Sequence, residues 1–240
     1  MAATRIQLCG RLVLRIDGRR VEDELPGRQG RLACAYLVLH RHRPVAREEL
    51  AAALWEEPPE TDGLSPVLSK LRRVLPLEGR GSARLTLPDD AWVDLEAAAE
   101  ALHRAQAAIA RSDWAGAWGP ARVAQHIAAR GLLPGEEAPW LEERRQELEE
   151  LHLRALELAG RASVEIGGAE LDTAERSAQS LIRRSPYRES GYRLLMETLA
   201  ARGDAAEALV VYDELRRRLR DDLGASPSPL TQAVHRRLLG

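Results

Sequence analysis

Apolar and polar positions alternate at the start of the chain, and the period then changes. Ile6 and Leu8, followed by Leu12, Leu14 and Ile16, recur at every second residue, with Gly10 between the runs and Asp17-Gly18 after them. Period two closed by a turn dipeptide predicts a small antiparallel sheet over Arg5–Cys9 and Arg11–Ile16, ending near Val21. Beyond Pro26 the spacing becomes helical. Leu32, Ala35, Tyr36 and Leu39 share one face of a helix that Pro44 stops, and Arg47 to Trp55 places Leu50, Ala53 and Leu54 inward before Pro58-Pro59 breaks the pattern. A third helix runs from about Leu64 to Leu75 and ends at Pro76. Arg84–Leu87 and Trp92–Val93 then read as two short strands joined by Pro88-Asp89-Asp90-Ala91. Sheet, three helices, hairpin is the order of a winged helix.

From Asp94 onward the pattern is helical almost throughout, with breaks at Ser112-Asp113, Gly131–Gly135, Gly167-Gly168, Ser185-Pro186, Gly203 and Gly224–Pro227. Leu181 and Leu215, Ala174 and Ala208, and the pairs Arg183-Arg184 and Arg217-Arg218 repeat at a spacing of 34 residues. Small residues at fixed positions let paired helices approach closely, which is the logic of tetratricopeptide repeats, where stacked pairs bury a core no single pair could bury. The expected fold is therefore mainly α: a winged helix-turn-helix domain (α+β) over residues 1–93, then an all-α tetratricopeptide-like domain over residues 94–240.

Composition narrows the function classes. In 240 residues, 45% are apolar and 30% charged, the balance of a globular chain and not of a disordered one. No apolar run nears the roughly 20 residues that span a bilayer, and the first residues lack a secretory signal's apolar core. Cys9 and Cys34, the two cysteines, cannot staple a chain of this size, so a reducing cytoplasm is expected. The net charge of −2 argues against a generally basic nucleic-acid binder, but residues 1–93 carry 15 basic and 13 acidic side chains, and residues 94–240 carry 20 and 24. Where the charges sit therefore matters more than their sum.

The stretch from Ser185 carries a composite signature: Pro186–Glu189 (P-x-R-E), Leu195-Met196, the G-x-x-A-x-A-L run Gly203–Leu209, Tyr212, Leu215-Arg216, Leu223-Gly224 and Pro227. With Val93-Asp94 and Trp140–Arg145 upstream, residues 94–240 resemble the bacterial transcriptional activation domain of the Streptomyces antibiotic regulatory proteins. In that family the domain follows an OmpR-like winged helix, and Pro44–Trp55 and Leu68–Leu75 resemble that module's second and third helices. The resemblance implies an activator of transcription, not an enzyme, that binds direct repeats in double-stranded DNA as a homodimer and recruits RNA polymerase. The family's larger members carry nucleotide-hydrolysing or sensor domains, and none fits here; no cofactor is implied.

A helical projection of the third helix gives the same answer independently. At 100° per residue, Leu64, Val67, Leu68, Leu71, Val74 and Leu75 fall on one face roughly 120° wide. The opposite face holds Pro66, Ser69, Lys70 and Arg73, with Ser65 and Arg72 on its flank. A recognition helix needs this arrangement, an apolar face on its domain and a basic, hydroxyl-bearing face in the major groove. Lys70 or Arg73 is placed to donate to guanine O6/N7 and Arg72 to a phosphate; basic residues near a helix C-terminus also complement its dipole. Wings of this module carry a Gly- and Arg-containing turn, whereas Pro88–Ala91 offers two carboxylates, so either the wing makes little contact or Arg80 and Arg84 at its base supply it. The acidic loop Glu56, Glu57, Glu60 and Asp62 faces either polymerase, as the resemblance implies, or solvent.

Other constellations carry less. Pro26–Arg31 lacks the glycine-lysine-hydroxyl ending of a phosphate-cradling loop and is expected to cap the first helix, with Arg28 and Arg31 as candidate phosphate contacts. The six histidines and two cysteines show no metal-ligand spacing. Glu142, Glu143, Glu147, Glu149 and Glu150 share one helix with interleaved arginines and read as a solvated face. Trp92, Trp114, Trp118 and Trp140 read as packing residues. Two alternatives to a DNA-binding activator remain: an adaptor whose helical repeats bind a protein while the winged helix is vestigial, and a regulator responsive to a small ligand held by those repeats.

Overall fold

The computed structural model describes residues 4–57 and 62–240. Contacts gather the chain into two units, one of which takes in the chain up to Ala97 together with Arg130–Glu149, the other Ala98–Ala129 with Glu150–Gly240.

In the first unit, strands β1 (Arg5–Gln7), β2 (Val13–Ile16) and β3 (Arg19–Arg20) form the expected antiparallel ladder, with Ile6 opposite Leu14 and both fully buried. Asp17 and Gly18 both have positive φ, 50° and 83°, the conformation a two-residue hairpin turn requires. Helix α1 (Gly27–Leu39) follows Pro26 and is buried from Leu32 through Val38, so it sits inside the unit and shows no single inward face. Strand β4 (Val45–Ala46) leads into α2 (Arg47–Leu54), where Leu50, Ala53 and Leu54 are buried as the spacing predicts. The break assigned to Pro58-Pro59, and Glu60 of the acidic loop, lie outside the described residues.

Helix α3 (Leu64–Leu71) is shorter than the sequence reading. After Leu71 the backbone tightens: Arg73 N–H donates to Lys70 O and Val74 N–H to Leu71 O, three residues back, before Pro76 ends any continuation. Strands β5 (Leu77–Glu78) and β6 (Ser82–Leu85) follow, and β6 lies between β4 and β5. The hairpin of this winged helix is therefore β5–β6, and its turn is Gly79-Arg80-Gly81. Pro88–Ala91, expected as the hairpin turn, instead links β6 to a strand of the other sheet. Strand β7 (Trp92–Val93) does not pair with β6; it runs parallel to β1, placing Val93 beside Ile6 and Trp92 beside Arg5. Burial of Val93 with Ile6, and the Arg5 guanidinium 4.1 Å over the Trp92 ring, favour that pairing.

Residues 130–149 complete this unit from far along the chain. Gly10 N–H donates to Gly131 O at 2.8 Å and Leu133 N–H to Leu8 O at 3.0 Å, and Leu132 and Leu133 are buried. Arg145 fixes the segment by donating to the carbonyls of Leu132, Leu133 and Glu136. A boundary drawn at residue 94 assigns this stretch to the helical half; its hydrogen bonds belong to the sheet.

The remaining helices are α4 (Asp94–Ala110), α5 (Trp114–Ala128), α6 (Leu141–Ile166), α7 (Leu171–Arg184), α8 (Glu189–Arg202), α9 (Ala205–Leu223) and α10 (Pro229–Leu239). The 34-residue repeat falls on α7 and α9: Ala174, Leu181, Ala208 and Leu215 are all fully buried. Gly160 and Gly191 let side chains of neighbouring helices seat against their backbone, since a Cβ on Gly160 would come within 2.3 Å of Leu194 Cδ2 and one on Gly191 within 3.0 Å of Leu181 Cβ. The P-x-R-E motif ties the array together. Arg188 reaches Glu150 and Glu157 of α6, and Glu189 accepts Ser228 N–H and Oγ–H at the start of α10.

Candidate nucleic-acid interface

Helix α3 buries Leu64, Leu68 and Leu71, and Leu75 follows them inward. Pro66, Ser69, Lys70, Arg72 and Arg73 are exposed and Ser65 is half-buried. The apolar and polar faces thus fall where the projection puts them. Among the described residues, Lys70 and Arg73 make no ion pair and no side-chain hydrogen bond.

The flank residues are occupied. Asp62 caps the first turn of α3 by accepting Ser65 N–H at 3.0 Å, and Ser65 Oγ also donates to its carboxylate. Arg47 of α2 donates to Ser65 Oγ at 2.8 Å and lies 3.3 Å from Asp62. The Ser65 hydroxyl and amide together hold the Asp62 carboxyl below the usual range. Asp62, one of the acidic-loop residues, is therefore a cap. At the other end of α3, Arg72 Nη2 donates to Gly79 O at 2.7 Å.

Arg80 sits at the tip of the β5–β6 turn between two glycines, exposed and, among the described residues, unpaired. Gly79 has φ +92°, and a Cβ there would lie 2.3 Å from Ser82 O, so only glycine makes this turn. Arg84 is exposed on β6, directly across from Glu78. Glycine-flanked Arg80 is the local signal for this turn, and the two residues of β5 before it are too few to show strand alternation.

Arg28 and Arg31 are engaged elsewhere. Arg31 Nε donates to Glu136 at 2.6 Å, while Arg28 lies 3.7 Å from the same carboxylate and donates to Glu137 O. Of the sequence-predicted residues, the structure leaves Pro66, Ser69, Lys70, Arg73, Arg80 and Arg84 open to a partner, and commits Ser65, Arg72, Arg28 and Arg31 to the protein itself. Sequence reasoning missed Arg47, whose link to Ser65 crosses from α2 and has no local signal.

Among the described residues no group of three or more His, Cys, Asp or Glu side chains is placed to hold a metal. Burial pushes the Cys34 thiol up to about 12, and burial with the neighbouring Asp94 charge pushes Cys9 up as well, so neither offers a thiolate. No described helix is long and apolar enough to cross a membrane.

The bacterial transcriptional activator domain family matches residues 93–239. The chain is 32% identical over 231 aligned positions to the Regulatory protein AfsR of Streptomyces coelicolor, an alignment covering 93% of this chain and 23% of that protein. It is 28% identical over 253 aligned positions to the Transcriptional regulatory protein EmbR of Mycobacterium tuberculosis, covering 97% of this chain and 62% of that one. A solved structure of Mycobacterium tuberculosis EmbR in complex with a low affinity phosphopeptide superposes with a TM-score of 0.85 at 26% identity, over 98% of this chain and 65% of that chain. The chain thus spans about a quarter of AfsR and less than two thirds of EmbR.

Proposed function

The chain belongs to the bacterial transcriptional activator domain family of transcription regulators, and from that premise we propose that it is a cytoplasmic, non-enzymatic activator. On this reading it binds direct repeats in promoter DNA as a homodimer and recruits RNA polymerase. Helix α3 enters the major groove, with Lys70 or Arg73 donating to a guanine edge and Ser69 and Pro66 against the neighbouring bases. Arg80 reaches the adjacent minor groove from the β5–β6 turn, and Arg84 meets phosphate. The observation that carries this reading is the pairing of an exposed basic face on α3, Lys70 and Arg73, with a glycine-flanked arginine at the hairpin tip, while Arg28, Arg31, Arg41, Arg43 and Arg47 of the same unit are held in ion pairs. The test is a pull-down of fragmented genomic DNA with the purified protein, followed by sequencing. A recovered direct-repeat motif supports the proposal; recovery without sequence preference sinks it.

A second reading has one observation in its favour. The helical unit holds an open groove of about 600 Å³ between α6, α8 and α10, with Arg161, Arg193 and Arg237 beside Glu157, Glu165 and Glu197. A regulator that responds to a ligand or protein segment there would need such a groove. It would show as saturable ligand or protein binding by a chain that recovers no DNA motif.

A further inference from the structure

We propose that Arg72 is a positioning residue, which locks the β5–β6 turn to the end of α3 so that Arg80 is held at a fixed offset from Lys70 and Arg73. The inference rests on reading α3 and that turn as one DNA-binding surface, and it takes Arg72 away from the phosphate contact its place on the helix flank suggests.

Three observations carry it. The Arg72 guanidinium donates to Gly79 O at 2.7 Å, seven residues on and across the entry into the hairpin. Gly79 adopts a φ of +92° that side-chain-bearing residues rarely take, and the space where its Cβ would stand is filled by Ser82 O, so the direction of the Gly79 carbonyl is dictated by the turn. The backbone of α3 tightens just past Arg72, through Arg73 N–H to Lys70 O and Val74 N–H to Leu71 O, which ends the helix at the residue whose side chain must turn toward the hairpin.

The link matters because β5 is two residues long and Arg80 has no anchor of its own among the described residues. A short hairpin has few ladder hydrogen bonds to hold its tip. A guanidinium hydrogen bond to the tip's carbonyl adds one restraint from the helix side. DNA binding then engages α3 and Arg80 together without first ordering the turn. Arg72 touches no base or phosphate on this account.

The test uses the full chain and begins without DNA. Hydrogen exchange over residues 77–85 is compared for the wild type and Arg72→Met, which keeps the stem and removes the donor. The expected result is exchange about five-fold faster in the turn, the ratio matching a net hydrogen bond of ~1 kcal/mol, with the melting temperature lowered by no more than about 2–4 °C. Unchanged exchange overturns the proposal, whether or not the protein binds DNA. Titrations with the recovered operator then compare Arg72→Met, Arg80→Ala and the double variant. Positioning predicts that Arg72→Met weakens binding about three- to ten-fold alone but by less than about two-fold in the Arg80→Ala background, because each change removes the same contact. Additive effects, with a salt slope that Arg72→Met makes shallower by about 0.9 even in the Arg80→Ala background, would identify a direct phosphate contact and overturn it. Should no operator exist, the DNA-binding reading falls, while the exchange result still decides what Arg72 does.

Discussion

The Asp94 carboxylate accepts the backbone N–H of Cys9 at 2.8 Å and that of Leu8 at 3.0 Å, joining the first residue of α4 to the end of β1. It also accepts Leu95 N–H at 2.9 Å, and Arg130 stands 3.7 Å away. Asp94 is fully buried, and burial pushes its carboxyl above the usual range against the pull of these donors. Strand β7 therefore ends where a single side chain can satisfy amides that no strand partner reaches. Asp94→Ala leaves the Leu8 and Cys9 amides buried without an acceptor and is expected to cost about 2–4 kcal/mol. Asp94→Asn, which keeps one acceptor oxygen, costs less. Urea unfolding of the three proteins orders them, and equal midpoints would contradict this role.

Leu132 is distant in sequence from the sheet it covers. It is 2% exposed and bridges to Cys9, in a segment held by Arg145 on three carbonyls. We expect Leu132→Ala to destabilise the first unit by about 2–5 kcal/mol, the range for a truncated core leucine. Hydrogen exchange reads the effect locally: β1 and β2 should lose protection, whereas the buried array of α7, α8 and α9 keeps its own.

How much of this was legible in the sequence follows from length and locality. The 34-residue spacing of Leu181 and Leu215 is a long periodic signal, and both side chains are fully buried. The two faces of α3 were legible for the same reason, since eight helical residues sample two turns. Strand β5, Leu77–Glu78, is too short to show alternation, which is why the spacing predicts the hairpin one strand later than it lies. The engagement of Arg28 and Arg31 with Glu136 had no local signal at all, because the partner lies 105 residues beyond Arg31, past four helices in the chain. Pro186–Glu189 was recognisable as a motif, but its physical content lies in contacts distant in sequence, Arg188 on Glu150 and Glu157 of α6 and Glu189 on Ser228 at the start of α10.

Acid should remove one identifiable contribution. Glu49 accepts from Arg43 at 2.9 Å and from the Tyr36 hydroxyl at 2.8 Å, and the Arg43 hydrogen bonds above all hold its carboxyl down to about 2. A carboxylate whose pKa is depressed on folding stabilises the protein fully above its unfolded value, near 4.5, and loses that contribution as pH falls toward 2. With its side chain 32% exposed, Glu49 is expected to contribute about 0.5–1 kcal/mol at neutral pH. Melting temperatures of wild type and Glu49→Gln at pH 6, 4 and 3 should converge as the pH falls. A gap that stays constant to pH 3 would show that the carboxylate charge is not what Glu49 contributes.

Salt dependence separates the spent arginines from the open ones. If Lys70, Arg73, Arg80, Arg84 and one or two further groups meet the DNA, log affinity falls against log salt with a slope of about −4.5 to −5.4. Arg84→Ala should make that slope shallower by about 0.9. Arg28→Ala and Arg31→Ala should leave it unchanged, because both side chains are held at Glu136. A slope that responds to Arg28 as strongly as to Arg84 would mean that the Glu136 pairs open on binding.

Lys70, Arg73 and Leu71 lie within four residues yet should fail in different ways. Lys70 and Arg73 are exposed and, among the described residues, unpaired, so replacing either by alanine removes no packing. Loss of a bidentate base contact costs about 1–3 kcal/mol of discrimination, roughly ten- to a hundredfold in the ratio of operator to scrambled DNA. A residue that meets only phosphate lowers both affinities together and leaves the ratio alone. Lys70→Ala and Arg73→Ala therefore reveal which of the two reads sequence, and both should melt at the wild-type temperature. Leu71 is fully buried on the opposite face. Leu71→Ala should cost about 2–5 kcal/mol of stability and weaken DNA binding only as the folded fraction falls. The measurement is a paired one, thermal midpoints beside titrations of operator and scrambled duplexes. If both Lys70→Ala and Arg73→Ala bind operator like the wild type, α3 is not the recognition helix, and the groove between α6, α8 and α10 becomes the surface to pursue.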